Sequence, residues 1–176
     1  MRNNHQSRNV DLTGFMGTGK STVGVILAEI LVKEFVDTDT MIEQIRGPIP
    51  EIFKNEGEEA FRQYEREISE QLKLKENLVI ATGGKLLLDQ TNVELLGANG
   101  RIFCLSAPID QIIERILREV RSKRPLLDSD DFEERLRKIY SQRVASYSVF
   151  EQVDTAGRTP SEIAAEISNR LLPEEK

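Results

Sequence analysis

The stretch GFMGTGKST, Gly14 to Thr22, constrains this chain more than any other. It follows a short β-like run, Val10–Thr13, and precedes a segment whose apolar positions are Val23, Ile26, Leu27, Ile30 and Leu31. That i, i+3, i+4 spacing is the rhythm of a helix packed by one face. Gly14 to Ser21 fits G-x-x-x-x-G-K-[ST], a strand-to-helix turn whose glycines let backbone N–H groups curl around phosphate oxygens. The helix N-terminus adds a partial positive charge at the same place. Gly17, Thr18, Gly19, Lys20, Ser21 and Thr22 are therefore candidate nucleotide-binding residues. Lys20 is placed to reach the β- and γ-phosphates, and Ser21 to ligate Mg2+. A glycine-rich turn without a ligand is the alternative, and the strand before and helix after it weigh against that.

The same alternation continues along the chain. Strand-like runs occur at Asn9–Thr13, Glu34–Val36, Asn77–Ala81, Arg101–Leu105 and around Glu151–Thr155. Phe61, Tyr64, Ile68 and Leu72 form a second helical stripe, and Ile109, Ile112, Ile113, Ile116, Leu117 and Val120 a third. Thr159-Pro160-Ser161-Glu162 reads as a capping box that opens a final helix, with proline at its first position. Strands alternating with helices imply a parallel sheet covered on both faces, with ligands beyond the carboxyl ends of its strands. The 176 residues suit one domain, 1–176, with residues 1–8 and 173–176 expected to be flexible ends. No apolar run is long enough to span a membrane, and the start MRNNHQSR, which has no apolar core, is not expected to be a secretory signal. A net charge of −6 argues against nucleic-acid or membrane surfaces as partners, so any phosphate site must gather its positive charge locally. The single cysteine, Cys104, cannot form an internal disulfide, which fits a reducing cytoplasm. Cys104 reads as core, His5 lies in a polar tail, and no Cys/His cluster points to zinc.

Two further strands end in ligand-suited segments. In Val36-Asp37-Thr38-Asp39, residues two apart in extended chain would point the same way. One carboxylate could then hold Mg2+ and the other accept a proton from an attacking hydroxyl. The competing reading is N-capping by Asp39 with a solvated Asp37. Ala81-Thr82-Gly83-Gly84 permits close backbone approach to a small ligand, or makes a plain tight turn. Arg62 stands beside the second stripe, with Glu58 and Glu65 within helical reach, and a surface ion-pair ladder is the alternative there. The glutamates of Glu56–Glu59 read as a solvated face. Around residues 118–131, the segment Ser122–Leu127 with Arg124 reads either as a closing lid or as a solvated charged loop. Arg143 and Tyr147 lie four apart on the next helix, and a planar arginine fork suits a carboxylate.

With these marks in order, the chain resembles the shikimate kinase family over nearly its whole length. The matching segments are GFMGTGKST, Asp37-x-Asp39, GEEAFRQYE (Gly57–Glu65), ATGG (Ala81–Gly84), RPLL (Arg124–Leu127) and Arg143-x-x-x-Tyr147. The resemblance implies a three-layer α/β/α P-loop kinase fold, nucleoside-monophosphate-kinase-like, with a five-stranded parallel sheet. It implies phosphorylation of the 3-hydroxyl of shikimate by ATP with Mg2+, in chorismate biosynthesis, by a cytoplasmic monomer. Lys20 would then bind and polarise the ATP phosphates, and Ser21 and Asp37 would hold Mg2+. Asp39 would orient the substrate hydroxyl and take its proton. Arg62 and Arg143 would clamp the shikimate carboxylate, and the backbone of Gly83 and Gly84 would touch the substrate. Arg124 would be the lid arginine, while Arg115 and Arg158 would line the adenine pocket, with two extra residues between Arg115 and the lid.

The sequence departs from the family at Lys85, where a third glycine is usual. If that backbone needs a positive φ, lysine is strained there by roughly 1 kcal/mol or more. Its side chain could enter the acceptor pocket, pair with a carboxylate or phosphate, block the site, or point to solvent, which is the default expectation. The departure keeps two other readings open. One is a kinase for another small hydroxylated carboxylate, such as an amino analogue of shikimate. The other is a weakly active nucleotide-binding relative that works by binding a partner.

Overall fold

The computed structural model describes residues 8–123 and 130–172, apart from the side chains of residues 119–123, 130 and 131. Arg124, the middle of the expected lid, and the ends 1–7 and 173–176 lie outside the described residues.

Five strands alternate with helices: β1 (Asn9–Thr13), α1 (Lys20–Leu31), β2 (Glu34–Asp37), α2 (Thr38–Arg46), α3 (Ile49–Asn55) and α4 (Gly57–Leu72) come first. Then follow β3 (Leu78–Ala81), a 3-10 turn (Leu86–Leu88), α5 (Gln90–Gly97), β4 (Gly100–Ser106), α6 (Ile109–Lys123), α7 (Asp130–Tyr147), β5 (Glu151–Asp154) and α8 (Pro160–Leu171). The strands form one sheet in the order β2-β3-β1-β4-β5, parallel throughout. Together with helices on both faces this is the three-layer P-loop kinase architecture.

The pleat sorts the core. Val10, Leu12, Val79, Phe103 and Leu105 face one way, against Val23, Leu27 and Ala28 of α1 and Ile163, Ala164 and Ile167 of α8. Leu78 and Ile80 face the other way, against Phe61, Ile68 and Leu72 of α4 and Leu96 of α5. Cys104 joins a third cluster with Phe15, Ile112, Ile113, Leu136 and Tyr147, beneath α6 and α7. Each large apolar side chain fully buried in these layers contributes roughly 1.5–3 kcal/mol. Thr159 and Glu162 make the expected capping box, with Pro160 in the first helical turn. Among the described residues, no helix is long and apolar enough to cross a membrane.

Register sets where ligands can bind. Leu12 pairs with both Ala81 and Phe103, and Asp37 pairs with Ala81. The segments after β1, β2 and β3 therefore emerge side by side at one edge of the sheet.

One buried group works against the fold. Asp11, in the middle of β1, is fully buried between Ile80 and Ile102, and neither of its carboxyl oxygens has a hydrogen-bond partner. It points at Gly100, where a Cβ would lie 1.9 Å from its Oδ2. Burial pushes its pKa well above the usual carboxylate value of 3.8. A raised folded-state pKa means that the neutral acid is tolerated below about pH 4, and stability is lost as pH rises through the folded value. Asp11→Asn should therefore match the wild type near pH 4 and gain on it with pH, by about 1–3 kcal/mol at pH 8. Urea denaturation at both pH values checks this, and a gain that does not grow with pH would contradict it.

Candidate active site

The loop after β1 is built from backbone. Gly14, Gly17 and Gly19 have φ of 132°, 76° and 92°, a region closed to most side chains. A Cβ on Gly14 would meet the Leu105 carbonyl at 2.3 Å, and one on Gly17 would meet the Ile116 side chain at 2.8 Å. α1 begins with no side-chain cap and no acid in its first turn, so its leading N–H groups are left for an anion. Lys20 Nζ folds back over the loop and donates to the carbonyls of Gly14 (2.8 Å) and Phe15 (3.0 Å). Burial pushes its pKa down to about 8, against the opposing pull of Asp39 and Asp37. Thr18 is buried and donates its hydroxyl to the Phe15 carbonyl at 2.7 Å, so it braces the loop and offers a ligand only its backbone. Ser21 and Thr22 are exposed on the first turn of α1.

The carboxylate pair is arranged differently from the extended-chain expectation. β2 ends at Asp37 and α2 starts one residue later, so Asp37 and Asp39 do not share a strand face. Asp37, not Asp39, is the N-cap: its Oδ1 accepts from the N–H groups of Asp39 (3.0 Å) and Thr40 (3.2 Å). Its Oδ2 accepts from the Ser21 hydroxyl at 2.7 Å. Hydroxyl and carboxylate oxygens side by side form a donor set suited to a hard cation. Asp39 sits in the first turn of α2 and turns inward. Its Oδ1 is buried without a partner and would lie 2.4 Å from a Cβ on Gly83. Burial, with Asp37 close by, raises its pKa, and Lys20 opposes the rise. A partly desolvated carboxylate with a free oxygen is a competent proton acceptor.

Glu65 is a site residue to which the sequence assigns no role beyond helical reach of Arg62. It is 2% exposed, and its Oε2 accepts from Arg62 Nη1 at 2.5 Å. The signal was available in the spacing, because Phe61, Glu65, Ile68 and Leu72 occupy one helical stripe and all four are buried. Burial raises the Glu65 pKa to about 7, against the pull of Arg62. The other glutamates of that turn are solvated as expected, although Glu58 is engaged: its Oε1 lies 3.4 Å from Arg62 Nη2 and 2.6 Å from Lys85 Nζ. Lys85 has a φ of −110°, so the expected left-handed strain is absent. Its side chain runs to Glu58 instead of freely into solvent.

Gly83 meets the side chains of α2 and α4, and Gly84 meets α7, where the buried Tyr147 hydroxyl donates to the Gly84 carbonyl. Burial raises the Tyr147 pKa, and the charge of Arg143, one turn earlier on α7, opposes the rise. Beyond β4 and β5, Arg115 donates to the Thr155 hydroxyl (3.0 Å) and carbonyl (2.8 Å). Arg158 donates to the Asp154 carbonyl at 2.9 Å and pairs with Glu166 at 2.5 Å. The two arginines line one open cleft of about 300 Å³ with Gln111 and Gly157. Cys104 is buried core, its thiol pushed up to about 11 by burial, which leaves it unreactive.

Residues 16–172 match the shikimate kinase family. The chain belongs to that family. It is 41% identical over 162 residues to a shikimate kinase of Thermodesulfovibrio yellowstonii, covering 91% of this chain and 92% of the relative. It is 42% identical over 173 residues to one of Francisella tularensis subsp. holarctica, covering 96% and 97%. The fold superposes on a shikimate kinase from Acinetobacter baumannii in complex with shikimate with a TM-score of 0.82. That pair is 34% identical and covers 94% of this chain and 93% of the other. Membership in the shikimate kinase family makes the chain a phosphotransferase and leaves the two alternative readings raised by Lys85 disfavoured.

Gly83 has no room for a side chain, because a Cβ there would lie 2.4 Å from the Asp39 carboxylate. Gly83→Ala should displace the Asp39 carboxylate and lower stability by about 1–3 kcal/mol. Urea titration measures the loss, and an unchanged midpoint would show that Asp39 is not held against that backbone.

Proposed function

We propose that this chain transfers the γ-phosphoryl group of ATP to the 3-hydroxyl of shikimate, with the residues described above in fixed roles. One observation carries the reading: Asp39, with one unpartnered oxygen against Gly83, is within electrostatic reach of both Lys20 in the loop cradle and Arg62 on α4. The complex of the A. baumannii relative with shikimate supports the choice of acceptor.

Lys20 and the N–H groups of the loop would hold the β- and γ-phosphates. Ser21 and Asp37 would hold Mg2+, which when bound neutralises phosphate charge. Arg115 and Arg158 would flank the adenine in their shared cleft. Arg62 and Arg143 would fix the acceptor carboxylate, with the backbone of Gly83 and Gly84 against its ring. Asp39 Oδ1 would accept the proton of the 3-hydroxyl as that oxygen bonds to phosphorus and the bond from phosphorus to ADP breaks. Arg124 would add positive charge from the lid and help exclude water. We place the enzyme in the cytoplasm as a monomer, a compartment that the lone buried thiol of Cys104 suits.

A coupled ADP-release assay tests the reading: turnover should require shikimate, and Asp39→Asn should keep ATP affinity while losing about 10²–10⁴-fold in rate. Near-wild-type turnover of that variant would remove Asp39 from the mechanism. The Lys20 pKa of about 8 adds a second expectation. For ATP, kcat/KM should fall above about pH 8 as the free enzyme loses the ammonium, while kcat holds to higher pH because bound phosphates raise that pKa. Parallel pH profiles of the two constants check it, and a flat kcat/KM through pH 9 would contradict it.

A further inference from the structure

We propose that Lys85 is a positioning residue for acceptor binding, which holds Glu58 off Arg62 so that the guanidinium keeps its charge for an anionic acceptor. This rests on the acceptor reading above and deepens it.

Arg62 is crowded by carboxylates. Its Nη1 meets Glu65 at 2.5 Å, its Nη2 faces Glu58 at 3.4 Å, and its Nε is buried without a partner. One guanidinium thus faces two glutamates, with Asp39 close behind on α2. If both glutamates paired fully with Arg62, an incoming carboxylate would meet a rim of surplus negative charge. Like charges so placed would reject the acceptor that Arg62 is meant to bind.

The structure divides the load. The Glu58 oxygen that faces Arg62, Oε1, is the same atom that lies 2.6 Å from Lys85 Nζ. The shorter contact goes to the lysine. Lys85 hydrogen bonding is also the largest influence holding the Glu58 pKa down, ahead of Arg62. Glu65, for its part, is pushed by burial towards the neutral acid near pH 7. With Glu58 taken up by Lys85, Arg62 retains positive charge for a ligand.

Lys85 can do this because of where it stands. It follows Gly83 and Gly84 in the turn after β3, with an ordinary φ of −110° and a side chain 36% exposed. A pair this exposed adds little to stability. Its effect is on the local field around Arg62.

The test is steady-state kinetics in shikimate at saturating ATP on the wild type, Lys85→Met, Lys85→Arg and the double variant Glu58→Gln/Lys85→Met. Lys85→Met should raise KM for shikimate about tenfold with kcat within about twofold, and leave KM for ATP unchanged. Lys85→Arg should restore the affinity. The double variant should return KM to within about threefold of wild type, because the carboxylate that Lys85 restrains is gone. An unchanged KM in Lys85→Met overturns the proposal. So does a double variant as weak as Lys85→Met, which would mean that the lysine meets the acceptor itself, and so does a fall in kcat at constant KM. A wild type that does not turn over shikimate takes down the parent reading and this one together. Failure of the Lys85 proposal alone appears only among variants of an active wild type.

Discussion

Parallel pairing of β1 with β3 and β4 decides where chemistry can happen in this chain. Parallel strands all end at the same edge, so the loops that leave them share one space. The pairing of Leu12 with Ala81, and of Asp37 with Ala81, places the phosphate loop, the start of α2 and the Thr82–Lys85 turn beside each other. Asp37 then fastens two of these together. One of its oxygens caps α2 and the other accepts from Ser21 at the start of α1, so α1 and α2 share a single carboxylate. A group so committed has little freedom to move, which is what a positioning site requires.

Much of this was legible in the residues. Each strand was placed to within about two residues, because the apolar runs are short, bounded by glycine or charge, and separated by helical stripes. The phosphate loop was legible because its glycines answer a backbone demand that other residues cannot meet, seen in the positive φ of Gly14, Gly17 and Gly19. What escaped was decided by tertiary packing. Whether Asp37 or Asp39 caps a helix depends on where β2 stops, and β2 stops where its pairing with β3 ends, at Asp37 opposite Ala81. The sequence spacing of Glu65 is that of a core position, but its charge argued for the surface, and only the proximity of Arg62 explains how a carboxylate can stand there. The course of the Lys85 side chain depends on Glu58, which lies 27 residues away in sequence.

Burial ties these residues into one electrostatic argument. Three ionisable groups at the site are shifted in the direction of their neutral forms: Lys20 down to about 8, Glu65 up to about 7, and Asp39 upward, each with desolvation as the leading cause. A charge taken from water is stabilised only by what surrounds it, so each of these groups depends on the others. Lys20 restrains the rise of Asp39, and Arg62 restrains that of Glu65. Substrates would change the balance. Phosphates beside Lys20 would favour its charged form, and a carboxylate beside Arg62 would draw on the charge that now restrains Glu65. The resting site is therefore set with its charges partly frustrated, and the ligands that complete it are anions. That is the electrostatic condition for binding two negatively charged substrates at one edge of a protein whose overall charge is −6.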